Sequence, residues 1–290
     1  LSGIGNVLIH KGGLGGMTVK AVSFTSHTSL LTSHASPSPF QIALSFTAPF
    51  SMMSRMESPA QSKECNQAVW AHTAPFIAWI GIMMLPISSE PWRYTLQTAV
   101  SAILLLALRP WRFYRPINIC NLPLALAVGI GVLIIWIGPE LPWIYHYPYL
   151  NDLYLRFGIR PLGIITGSAA FHPSAPEICG WPLTLIRLAG STLVIATAEE
   201  YFWRGFIYRW LVNRHFLSVP ERPIHVGMFL LTAFLFGMEH DRWLVGILAG
   251  LAYGTLYLRT RDITAAIAAH MTTNFLLGLY VLAFSAYHFW

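Results

Sequence analysis

Charge is scarce in this chain. Lysine, arginine, aspartate and glutamate make up 10% of 290 residues, against about 25% in ordinary soluble domains. That leaves little polar surface for a water-soluble globule, and a 55% hydrophobic content and a mean hydropathy of +0.54 point the same way. Cysteine is sparse too. Cys65, Cys120 and Cys179 stand far apart and form no CxxC pair, which excludes a disulfide framework. No basic run is interleaved with stacking aromatics, so the net charge of +6 gives no argument for nucleic acid as a partner. No internal repeat occurs, as a transporter built from two halves would show. No His directly precedes a Glu, so the HExxH signature of zinc proteases is absent.

What is present is apolar sequence in long runs. They cover 74–88, 94–108, 119–138, 181–211, 224–238, 243–258 and 263–287, bounded by charge or by Pro and Gly, with many of the 11 tryptophans near their edges. Aromatic belts of this kind mark the interfaces of membrane proteins. The fold class expected is all-α, a polytopic transmembrane helical bundle of about 7–8 spans. The first two runs are short for a bilayer of about 30 Å, so tilt or a helical hairpin is expected there. Arg109, Arg112 and Arg115, then Arg209, Arg214 and Arg222, then Arg259 and Arg261 follow alternate runs. The positive-inside rule therefore places these clusters and the N-terminus in the cytoplasm. Residues 139–180, with Trp143, Tyr145, Tyr147 and Tyr149, then form an interfacial cap outside. Residues 1–65 lack periodicity and read as disordered or as a misassigned start. Residues 66–290 read as the membrane domain, with a catalytic core at 181–290.

Only 12 acidic residues occur, and two of them sit side by side within the fourth run, Glu199 and Glu200. An ionisable group inside a membrane helix is costly and marks a functional site with a partner. Arg204 lies one turn after Glu200, so the two stack on one face and can pair. Glu199 points about 100° away and is left for other work. His240 closes the fifth run, beside Glu239, which reads as a membrane-surface residue. His270 and Asn274 lie in the seventh, one above the other on one face. Each alone could tie two helices together. Taken as a set, three helices carrying polar groups of catalytic type suggest a built site.

These residues carry a resemblance. Glu-Glu-x-x-x-Arg, Phe-x-x-x-His and His-x-x-x-Asn in order, at Glu199 to Arg204, Phe236 to His240 and His270 to Asn274, resemble the CAAX-protease and bacteriocin-processing (CPBP, or Abi) family of glutamate-dependent intramembrane proteases. The text around Phe202, Glu239 and Gly246 is similar to a bacterial, exosortase-associated branch of "CAAX prenyl protease-related" proteins. The resemblance implies that Glu199 activates water, with His240 holding it, because a desolvated carboxylate is a stronger base. His270 and Asn274 would donate to the oxyanion. Glu200 and Arg204 would hold the helix and its polar network. No cofactor is implied.

Two other readings remain open. Glu199, His240 and His270 form a two-His, one-carboxylate set of the kind that binds catalytic zinc, which would make the chain a zinc-dependent membrane protease. A non-catalytic immunity or scaffold protein is the third reading. The expected partners are the lipid bilayer and a protein or peptide substrate, by association an exported or sorting-tagged one. The expected location is the bacterial inner membrane.

Overall fold

The computed structural model describes residues 59–159, 173–219 and 225–290, with side chains from Lys63 onward. The N-terminal segment up to residue 58 and Arg222 lie outside the described residues. Eight helices organise the rest: α1 Pro59–Met83, α2 Glu90–Leu108, α3 Leu122–Ile137, α4 Pro148–Phe157, α5 Trp181–Val212, α6 Val226–Met238, α7 Trp243–Thr260 and α8 Ile263–Phe284. No strand occurs among the described residues, and the chain is an all-α helical membrane protein.

Among the described residues each apolar run lies mostly on a helix, 84–88 and 285–287 falling past the ends of α1 and α8, and α4 is an addition within the 139–180 segment. By length and composition Ile119–Glu140, which contains α3, is able to cross a membrane alone, and so are α5 and α8; α6 is apolar but shorter. The other expected spans do not meet that measure among the described residues. In α2 the cause is visible, since Glu90 and Arg93 stand in its first turn. Outward faces are apolar all the same, with Ile103, Leu106, Ile134 and Leu193 more than half exposed. In water such a surface would be a liability; hydrocarbon is its natural solvent.

Three contacts dominate the packing: α1 on α2, α6 on α7, and α3 on α8. The α6–α7 hairpin closes tightly because Gly246, Gly250 and Gly254 recur every fourth residue. A Cβ at these positions would press on Gly237, Ala233 and Phe229 respectively, the small-residue packing of membrane helices. Helix α5 runs between α1, α2 and α8. It starts where Gly180 takes φ +80°, a conformation that favours glycine.

Two stretches of α5, Gly190–Ile195 and Tyr201–Ile207, are π-helical, and the ordinary α-helical turn between them carries both glutamates. Such widened turns free backbone groups from the regular ladder and recur at functional sites. Helix α8 begins inside the protein. Asp262 caps it by accepting from the Thr264 N–H at 2.9 Å, and its other oxygen accepts from Asn118 N and Asn121 Nδ2, both at 3.2 Å. Ile263 is buried. His270, seven residues into α8, is therefore deep enough to meet Glu199 near the middle of α5.

Candidate active site

Glu199, His240, His270 and Asn274 all line one cavity of about 230 Å³. The helices that place them are α5, the C-terminal end of α6, and α8. Aromatic residues Trp79, Tyr94, Trp136 and Trp290 form much of the remaining wall.

The supporting network sits beneath. Arg204 Nη1 donates to Glu200 Oε1 at 2.9 Å, and Nη2 donates to the Gly250 carbonyl at 3.1 Å. The guanidinium also lies 4.3 Å from the centre of the Phe236 ring. His270 Nδ1 is 2.9 Å from the same Glu200 oxygen, and the ring stacks on Tyr253 at 4.7 Å. The Tyr253 hydroxyl donates to Thr273 Oγ1, which in turn donates to the Gly129 carbonyl. Helices α3, α5, α7 and α8 are thus tied around one buried ion pair. The pairing of Glu200 with Arg204 is as the one-turn spacing suggests, and His270 is a third member that the spacing did not reveal.

Glu199 differs from its neighbour. Only 8% of it is exposed, and its Oε2 has no hydrogen-bond partner, a lack it shares with Oε2 of Glu200, whose other oxygen is bonded twice. His270 Nε2 stands 3.7 Å away, too far for a direct bond. His240 Nδ1 lies 2.8 Å from the Phe236 carbonyl. A carbonyl only accepts, so Nδ1 carries the hydrogen and the Nε2 lone pair is the free acceptor. Asn274 Nδ2 donates to the Ser191 carbonyl at 2.9 Å, within the first widened turn of α5. The amide keeps a second N–H and its oxygen for other partners.

Glu239, expected at the membrane surface, also reaches the site with its carboxylate. Glu239 as a residue is exposed at the end of α6, but its side chain is only 18% so. It turns inward, where Trp203 Nε1 donates to both carboxylate oxygens at 3.2 Å. Among the described residues, donor atoms of Glu199, Glu239 and His240 lie within 4.8 Å of one another. If a cation binds here, this is the set that would hold it, with Glu239 in the place given to His270 in the sequence-based trio. The signal in the sequence was slight: a rare acidic residue next to His240, and Trp203 one turn past Glu199.

With the geometry in hand, comparison with known proteins is informative. Residues 181–276 match the family model of type II CAAX prenyl endopeptidase Rce1-like proteins. The resemblance carried by the three motifs is thus shown for the segment that holds them. No curated protein and no solved structure matches the chain. The Rce1-like segment includes all four cavity-lining polar residues named above, together with Glu200, Arg204 and Glu239.

Proposed function

We propose that the protein is an intramembrane endopeptidase that hydrolyses a peptide bond of a membrane-associated protein or peptide with water activated by Glu199. The observation that carries this reading is the buried Glu199 carboxylate, whose Oε2 accepts no hydrogen bond, on a cavity shared with His240, His270 and Asn274. A scaffold gives no reason to keep a buried carboxylate without a partner, since such a group is costly to desolvate.

Water bound between Glu199 and His240 Nε2 gives a proton to Glu199 as its oxygen bonds to the scissile carbonyl carbon. The carbonyl becomes an oxyanion that accepts from the Asn274 amide, and from His270 Nε2 when both nitrogens of that ring carry a hydrogen, since Nδ1 already donates to Glu200. The carbon–nitrogen bond then breaks, and the proton held by Glu199 passes to the leaving amine. Glu200, bonded to both Arg204 and His270, keeps the ring from turning. No residue forms a covalent intermediate. The likeness to the exosortase-associated branch favours an exported or sorting-tagged protein as substrate, in a bacterial inner membrane with the arginine clusters inside.

The test compares the membrane proteome of wild type with that of a Glu199→Gln strain. Precursors that stay uncut only in the variant, and are cut by purified wild-type protein, support the reading; identical proteomes together with an inert purified protein overturn it. The closeness of Glu199, Glu239 and His240 gives the metal reading a specific form. Stoichiometric zinc in the purified protein, lost in Glu239→Gln and in His240→Ala, would replace the glutamate mechanism with a metal-assisted one.

A further inference from the structure

Helix α5 lines the cavity with Arg187, Ser191, Ile195 and Glu199, every fourth residue. Arg187 is unlike any other cavity residue. Its Nη1 donates to Glu90 Oε1 at 2.7 Å and sits 3.5 Å from Ser174 Oγ. The guanidinium lies 4.6 Å from the centre of the Tyr94 ring and 5.3 Å from that of Trp290. Its side chain is only 12% exposed. Nε and Nη2 have no hydrogen-bond acceptor among the described residues. These two N–H groups form one edge of the planar fork that matches a carboxylate with two parallel bonds. The aromatic rings hold the plane still, and Glu90 occupies the other end of the fork.

We infer that Arg187 is the recognition site for a substrate carboxylate, on the same cavity as Glu199 and three turns before it along α5. This rests on the proteolytic reading above and adds to it the chemical class and the position of a specificity group. Twelve residues of helix separate Arg187 from Glu199, at most about 18 Å at the α-helical rise of about 1.5 Å per residue, because the π-helical stretch between them rises less. An extended peptide covers about 3.3 Å per residue. The carboxylate therefore stands about five residues beyond the scissile bond. It is supplied either by the C-terminus of the chain being cut or by an acidic side chain at that position.

The test uses fluorescence-quenched peptides built on the cut site of a precursor that accumulates in the Glu199→Gln strain, with three to six residues after that site. Each is made as the free acid, as the C-terminal amide, and as an amide with glutamate in the last position. On the wild-type protein the free acid is expected to have a KM about 10–100-fold below that of the plain amide, with kcat within about threefold. This preference should be greatest near five residues. If the glutamate amide matches the acid, the carboxylate is read wherever it comes from; if only the acid binds tightly, the chain terminus is read.

Arg187→Gln should bring the acid's KM to that of the amide, so that the acid-to-amide ratio of KM becomes about one. Equal KM for acid and amide on wild type overturns the inference. So does an Arg187→Gln variant that loses both substrates equally, because that is what a purely structural tie between α2 and α5 would do. Binding of the same peptides to the Glu199→Gln protein separates the two claims. A preference for the acid without cleavage by wild type would overturn the proteolytic reading and keep the subsite. Cleavage without that preference would overturn the subsite alone.

Discussion

Helix α5 carries two guanidinium groups, each paired to a glutamate and each packed on aromatic rings, yet the two ends of the helix are built for different purposes. At the deep end Arg204 is 3% exposed and Glu200 0%. Arg204 spends its donors on Glu200 and Gly250, and Glu200 is further engaged by His270. At the shallow end Arg187 is 12% exposed, Glu90 is 23% exposed, and one edge of the guanidinium meets no acceptor among the described residues. A pair buried this deeply and bonded to neighbouring helices fixes geometry, although Glu200 Oε2 accepts no bond. One with donors to spare, opening on a cavity, is able to take a ligand. The same residue types in similar pairs thus give a scaffold in one place and a candidate binding group in the other, and accessory bonds make the difference.

The deep end can be broken most severely at the one carboxylate it leaves free. Glu199→Gln keeps the shape of the side chain and removes the base, so turnover should fall by about 10³–10⁴-fold. Folded yield should be nearly unchanged, because an unpartnered charge is being relieved rather than a pair broken. Peptide cleavage and thermal denaturation of the purified protein measure the two halves of this claim. Substantial residual cleavage would move the base elsewhere, with Glu239 the first residue to examine.

Arg204→Ala should act the other way. It strands Glu200 in the core, and breaking a buried pair from one side costs about 3–5 kcal/mol of stability. Loss of folded protein in detergent is the expected outcome. A variant as stable as wild type but inactive would make Arg204 part of the reaction and erase the contrast with Arg187. Next in size is Asn274→Ala, which should lower kcat by about 10²–10³-fold with little change in KM, as loss of one transition-state donor does. A change confined to KM would place Asn274 in substrate binding instead.

The legible parts of this molecule were those that follow from periodicity and from cost. Seven apolar runs mark seven helices because hydrocarbon leaves the backbone few other options. Glu200 and Arg204 were readable as a pair because one helical turn sets them side by side. Relations between helices were not readable. The contact of His270 with Glu200 joins residues 70 positions apart, and the Asn274 bond to Ser191 depends on a widened turn in α5 that no spacing announces. Glu239 looked like a surface residue because it ends a helix, whereas Trp203 on another helix turns its carboxylate inward. Nothing in the sequence marks Arg187, since its surroundings come from α2 and Trp290.

The smallest expected effect tests the comparison most finely. Glu90→Gln removes the charge that competes for Arg187 and keeps a side chain of the same size. Because this pair is partly exposed, the stability cost should be about 1 kcal/mol or less, against the several kcal/mol expected for Arg204→Ala at the deep end. Its effect on substrate should run opposite to its effect on stability. With Glu90 neutral, the guanidinium offers its full charge to the cavity, and KM for a free-acid peptide should fall by about two- to fivefold while the amide's KM stays put. Steady-state kinetics on the acid and amide pair would decide it. If KM for the acid rises instead, Glu90 holds the guanidinium in its binding posture, and the shallow pair is as structural as the deep one.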